Sequence, residues 1–341
     1  MALRLSFLTH VNNDGTDLTE AADLYRRTVE LFVAAEELGF DGGWVAQHHF
    51  AGETRGLPSP LLLLAAVSQH TRRIRLGTAV VLLAAEDPVR VAEDAAVLDV
   101  LSGGRLQLGL GTGGDPGTLT AFGVDPERRR ERYAESLALL RRTLDGGPLP
   151  GGARLEPEGT GVAGRLWQST TSAQSAVRIA GDGDGLLLAK AAFRTELPTG
   201  EAQLPLARGY LDRWTGGRPP RIGVSRTVYP AADRRTAVAE LTAGVVENVD
   251  QSVRAGLFPP VSSLDGYFAR AHVHAGHPDE VAASLLADEV VPLADELIVQ
   301  THPGRFNHDR TLAALELIAR EVAPQLGRRA GAGPATAAGA A

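Results

Sequence analysis

The sequence contains no cysteine. That absence excludes a disulfide framework, thiolate catalysis, cysteine-ligated zinc and iron–sulfur clusters, and it permits a reducing compartment. No run approaches the roughly 18 apolar residues of a membrane-spanning helix, and Leu5 to Leu8 is too short for a secretory signal. A formal net charge of -7, with no basic run interleaved with aromatics, offers no pull on nucleic acid or anionic lipid. The expectation is a soluble, cytoplasmic protein with neither nucleic-acid nor membrane partners. With 39 glycines and 20 prolines in 341 residues the chain falls below the roughly 25–30% that marks low complexity, and its 44% hydrophobic content suits a packed core. Length alone leaves open two domains or one α/β barrel of about 250 residues.

Short apolar runs alternate with longer stretches of helical period. Strands are expected at Leu3 to Thr9, Asp41 to Ala46, Ile74 to Leu82, Leu106 to Leu110, Leu166 to Gln168, Gly185 to Ala189, Arg221 to Tyr229 and Glu296 to Thr301. Helices are expected at Leu18 to Leu38, Pro60 to Gln69, Pro88 to Leu101, Arg128 to Leu144, Ser172 to Ala180, Asp233 to about Ala255, Pro278 to Ala287 and Leu312 to Val322. Uncharged strands separated by helices imply a parallel sheet covered on both faces, and eight strands close a barrel. The fold class expected is a (β/α)8 TIM barrel over residues 1–326, with a doubly wound open sheet as the alternative. The Gly/Ala-rich tail 327–341 has nothing large to bury and is expected to be disordered.

Barrel active sites lie at the C-terminal ends of the strands. The shortlist is His10, Gln47-His48-His49, Glu86-Asp87, Gly111-Thr112, Ser169 to Ser172, Lys190, Thr227 to Tyr229 and Thr301-His302. His48 at such an end suits proton transfer, because imidazole titrates near neutrality; a histidine tied to backbone suits His49 better. Gln168-Ser169-Thr170-Thr171-Ser172 puts hydroxyls at a helix start, which reads either as simple capping by Ser172 or as a phosphate site. Gly109 to Gly114 matches G-x-G-x-x-G, but in the fourth unit and with Asp115-Pro116-Gly117 where a phosphate-binding helix should already run. Glycine that lets backbone approach a flat ligand at Gly111 is the better account. His272, His274 and His277 read as loop histidines with no carboxylate on a matching strand end, so no metal is expected. Lys190, the only lysine, reads as an anion-contacting or salt-bridging residue rather than an imine former.

Gly39-Phe40-Asp41 leading into Gln47-His48-His49-Phe50, Gly77 to Val81, Pro88 to Asp94, Ser102 to Arg105, Arg132-Tyr133, Ala180 to Gly185 and Leu315 to Pro324 together resemble the bacterial luciferase-like flavin-dependent monooxygenases. The resemblance runs from about residue 3 to 325 and is weakest between Phe193 and Gly276. It implies a (β/α)8 barrel that takes reduced FMN, or in one branch the deazaflavin F420, and uses O2 to oxidise a small organic substrate. The family's catalytic histidine falls on His48. Its strand-three end, often with a non-proline cis peptide under the isoalloxazine, falls on Ala79 and Val80. The phosphate turn falls on Ser169, Thr171 and Ser172. Where luciferase carries a cysteine and then an arginine, this chain has Gly111 and Thr112, and a glutamate near the flavin is Gln168. Those departures argue against light emission and for modest flavin affinity, as in an enzyme supplied by a separate flavin reductase. The resemblance also implies a homodimer through Leu61 to Val67 and Pro88 to Leu98. F420-dependent hydride transfer and a catalytically silent flavin-binding protein are the alternative functions.

Overall fold

A computed structural model describes residues 3–11, 18–50, 56–158, 160–302 and 307–327. The expected tail lies outside them from residue 328. Ten strands run in chain order: β1 (Arg4–Thr9), β2 (Gly42–Val45), β3 (Arg75–Thr78), β4 (Val81–Leu82), β5 (Leu106–Gly111), β6 (Leu166–Ser169), β7 (Gly185–Leu188), β8 (Ile222–Pro230), β9 (Val273–Gly276) and β10 (Glu296–Gln300). All pair in parallel, and β10 pairs with both β1 and β8, which closes the barrel and excludes the open sheet. β9 lies outside the ring, beside the end of β8.

Helices between the strands cover the outer face, and their ends follow local chemistry. Helix Pro88–Ser102 starts with proline and a capping Asp87 whose carboxylate accepts from the Val89 and Arg90 amides, and it stops at Gly103 in the left-handed region, φ +68°. Three elements in the stretch without a sequence signature were not expected, one of them the short helix Leu264–Arg270. Helix Thr199–Asp212 carries Pro205 inside it, and the four-residue β9 holds His274.

Side chains alternate across each strand, so the inner faces form layers. At the floor, buried Glu296 accepts from Ser6 Oγ (2.6 Å) and Trp44 Nε1 (2.9 Å) and pairs with Arg75 (3.0 Å). Above it, Trp44 and Trp167 meet edge to face, with ring centroids 5.7 Å apart, among Leu8, Ala46, Leu187 and Ile298. Two indoles fit because the facing positions are glycine. A Cβ on Gly77 would lie 2.2 Å from the Trp44 ring, and one on Gly185 would lie 2.2 Å from Trp167. Among the described residues the barrel interior is therefore a filled core, which leaves ligand space at the rim.

The expected third strand, Ile74 to Leu82, is in fact two. Gly77 pairs with Gln107 and Val81 with Leu110, so three residues, 78–80, stand opposite two. This is a bulge. Thr78 bridges it: its hydroxyl donates to the Gly109 carbonyl (2.8 Å) and accepts from the Gly109 amide (2.9 Å). Thr78→Val should leave both buried Gly109 groups unsatisfied and destabilise the fold by about 1–3 kcal/mol, whereas Thr78→Ser should cost less than half of that. Urea denaturation of the three proteins checks this.

Candidate active site

The two-residue alternation continues past the strand ends and selects the rim. On β1 the inward series Ser6, Leu8 leads to His10; on β2, Trp44 and Ala46 lead to His48; on β10, Glu296, Ile298 and Gln300 lead to His302. His10 Nδ1 and His48 Nε2 are 3.0 Å apart, so one ring donates and the other accepts. The backbone holds His48 by its amide on the Leu57 carbonyl (3.0 Å), and Gly56 packs so close that a Cβ there would lie 2.5 Å from His48 Cβ. Gln47 points the other way. Its amide donates to Glu86 (2.6 Å) and Pro58 (3.0 Å) and accepts from the Leu82 amide (2.7 Å), fixing the loop next to the bulge. His49 lies 4.7 Å, centroid to centroid, from Phe122 and 4.0 Å from Glu86, so it packs against a ring rather than being tied to backbone as expected.

Burial disfavours the charged forms of the basic groups on this rim. Burial holds His10 well below its ordinary value of 6.5, and the positive forms of His48, Lys190 and His302 push the same way, against hydrogen bonding of the ring to Gln300. His48 is lowered by burial, then by His49 and Lys190. Burial brings Lys190 down to about 8. Lys190 donates to Asn248 Oδ1 (3.3 Å). On the inner face of the neighbouring β8, the buried Ser225 Oγ and Thr227 Oγ1 have no hydrogen-bond partner among the described residues.

The other side of the rim is apolar. The Ala79–Val80 peptide is cis, the geometry the resemblance implies there. Both side chains are partly exposed and rest on the tryptophan layer. Val80 covers Gly111, where a Cβ would come within 2.5 Å of Val80 Cγ2, so that glycine admits a side chain of its own protein. Thr112 is partly exposed beyond it. Ser169 ends β6, Thr170 Oγ1 accepts from the Ser172 amide (3.0 Å), and Ser172 caps helix Ala173–Asp182. Thr170 and Thr171 line a cavity of about 210 Å³ with Phe193 and Arg194.

Gln168 requires correction. Because Trp167 points inward, Gln168 points outward, where Tyr133 donates to its Oε1 (3.0 Å) and its Nε2 donates to Asp182 (3.0 Å) and Asp184 (2.9 Å). Every polar atom of the amide is used, so it does not face a cofactor. Asp184, raised to about 6 by burial, is held by Arg141.

Two further expectations change. A six-residue helix, Pro116–Ala121, does follow Gly114, but the Asp115 carboxylate occupies its first amides, where a phosphate would have to sit. A carboxylate also exists near the histidines: Asp288 lies 2.7 Å from His272 Nε2 and 3.8 Å from His274 Nε2. Arg226 already binds both of its oxygens (2.7 and 3.2 Å) and the amides of Val290 and Val291 complete them. A guanidinium in contact makes this a structural ion pair rather than a cation site. Missed from sequence were the His10–His48 pairing and the inward hydroxyl of Ser225, whereas Thr227 was on the strand-end shortlist; only the inner-face alternation could have pointed to the rest.

A family model described as luciferase-like monooxygenase matches residues 3–338. The chain belongs to that family, a class of oxidoreductases. The 4-hydroxyprotoasukamycin monooxygenase of Streptomyces nodosus subsp. asukaensis is 43% identical over 120 residues, 35% of this chain and 32% of that protein. An uncharacterized Sinorhizobium fredii protein, y4wF, is 40% identical over 147 residues, 43% of this chain and 42% of its own. These two matches span less than half of each relative. Uncharacterized YwcH of Bacillus subtilis is 32% identical over 311 residues, 84% of this chain and 91% of that one. Among solved structures, monooxygenase RslO1 from Streptomyces bottropensis superposes with a TM-score of 0.77 at 24% identity, covering 94% and 99% of the two chains. The oxygenating constituent of 3,6-diketocamphane monooxygenase from Pseudomonas putida, in complex with FMN, gives 0.76 at 19%, covering 95% and 99%. An F420-dependent secondary alcohol dehydrogenase gives 0.71 at 15%, covering 96% and 99%. At these identities the structures speak for the fold.

Both paired histidines should titrate below 6.5, so the stability they contribute is complete above that pH and falls as pH drops toward their folded values. In His48→Gln, His10 should move part of the way back to 6.5, because one positive neighbour is gone while burial persists. Histidine side-chain NMR across pH 4 to 8, a window of roughly two units either side of the ordinary value, reads both midpoints; an unmoved His10 contradicts the pairing.

Proposed function

We propose that the protein is the oxygenase of a two-component system, an FMN-dependent, non-luminescent monooxygenase that uses reduced flavin and O2 to oxidise a small organic molecule. The observation that carries this reading is the division of the rim. Ala79 and Val80, the latter lying over Gly111 of the adjacent unit, give an apolar wall, and a polar arc runs from Lys190 through His302 and His10 to His48. A planar ring system with one face to pack and one polar edge fits such a rim.

Ala79, Val80, Gly111 and Thr112 would lie beside the ring, and Ser169, Thr171 and Ser172 would hold the phosphate at the first turn of helix Ala173–Asp182, whose amide groups point outward. The cation missing at Thr112 has a substitute in Arg194, which lines the same cavity as Thr171. When bound, reduced flavin activates O2 for transfer to substrate. His48, unprotonated near neutrality, would take up a proton at the reacting centre, while His10, held 3.0 Å away, fixes the orientation of its ring. The partly exposed rim suits a flavin handed over by a separate reductase.

Dimerisation belongs to the same reading. Helices Pro60–His70 and Pro88–Ser102 expose Leu62 (74%) and Val100 (60%) beside a groove of about 440 Å³. A second copy covers them, and Leu62→Glu should convert a sedimenting dimer to monomer; a wild-type monomer at micromolar concentration contradicts it.

Titrating oxidised and photoreduced FMN should quench flavin or tryptophan fluorescence. His48→Gln should keep that binding while lowering turnover about 10²–10⁴-fold. Absence of a signal with either redox form sinks the reading, and anaerobic turnover of F420 without oxygen uptake would replace FMN by the deazaflavin.

A further inference from the structure

Lys190 is the only lysine among 34 basic residues, and it sits in the polar arc of the rim. Its partner is the neutral amide of Asn248, 3.3 Å away, and no carboxylate pairs with it among the described residues. A desolvated cation without an anion is costly, so such groups are paired in folded proteins unless a ligand completes them. The groups that face it add to the imbalance. His10 and His48 both feel its charge, His302 acts on His10, and on the inner face of the next strand, β8, Ser225 Oγ and Thr227 Oγ1 are buried without partners among the described residues. The arc therefore offers an ammonium with one recorded acceptor, the Asn248 amide, and two hydroxyls without partners among the described residues.

Resting on the flavin reading above, we propose that Lys190 determines specificity by receiving an anionic oxygen of the substrate, so that the substrate class is small organic acids: carboxylates, or phenols and enols bound ionised. Lysine suits this task because its compact ammonium, still mostly charged at neutral pH with a value of about 8, is a single point charge for one anionic oxygen. Ser225 and Thr227 donate to the same oxygen or its neighbour. The apolar wall at Ala79 and Val80 leaves the opposite side of the rim to the flavin.

The test uses the full chain with three probes: benzoate, neutral benzamide and 4-nitrophenol, whose ionised form absorbs separately in the visible. Wild type should prefer benzoate to benzamide by about tenfold or more, the value of one charge-assisted hydrogen bond, and should bind 4-nitrophenol as the phenolate at a pH where it is mostly protonated in solution. Lys190→Met should abolish both preferences, and Lys190→Arg should keep the first. FMN quenching, read in the same samples, should be unchanged in both variants, and Lys190→Met should melt no lower than wild type because an unpaired buried charge is removed. Equal binding of benzoate and benzamide, no binding of either anion, or a preference that survives Lys190→Met overturns the proposal. Loss of FMN binding in Lys190→Met also overturns it, by giving Lys190 to the flavin. Wild type that fails to quench FMN counts against the flavin reading alone, and the anion comparison still decides Lys190. If Lys190→Met does not fold, Thr227→Val takes its place: weaker benzoate binding with benzamide unchanged supports the proposal, and equal loss of both contradicts it.

Discussion

β10 pairs on one side with β1 and on the other with β8, and everything at the rim depends on that closure. It sets His302 beside His10, and the β1–β2 pairing then sets His10 beside His48, 38 residues away in sequence. An open sheet would leave Lys190 and His10 at different edges. The ring instead makes one continuous arc of donors from β7 to β2, facing a short apolar wall on β3 to β5.

The interior explains why chemistry is confined to that rim. Two tryptophans and the Glu296 cluster fill the cylinder, and glycines at 77 and 185 remove the side chains that would compete with the indoles. Ligand space is left above the aromatic layer. At that level Thr78 spans the bulge and presents Ala79 and Val80. Burial without counter-charge then sets the electrostatics: each basic group disfavours the charged form of the next. Such a rim accepts a proton reluctantly.

The barrel was legible because its strands are apolar runs ended by glycine or a capping residue, as at Asp87 and Gly103. The split of the third strand was not, since Leu76 to Leu82 is uniformly strand-like and the break comes from register against β5. Helix Thr199–Asp212 was hidden by Pro205. At the site, motif placement and structure agree in bringing His48 and the Ala79–Val80 peptide to one mouth. Gln168 failed for a physical reason: a motif fixes a position along a strand, while the face is fixed by the parity of its neighbour, and Trp167 already takes the inside. Arg226 and Asp288 pair across 62 residues, a contact that spacing cannot reveal.

The central claim is that a single planar cofactor sits between the Val80 wall and the His10–His48 pair. A crystal structure of the protein soaked with FMN tests it most directly. The account places the ring against Ala79 and Val80, with its polar edge toward His48 and its phosphate at Ser169 to Ser172. A ring bound elsewhere, or at the rim with its phosphate directed to Lys190, would contradict it.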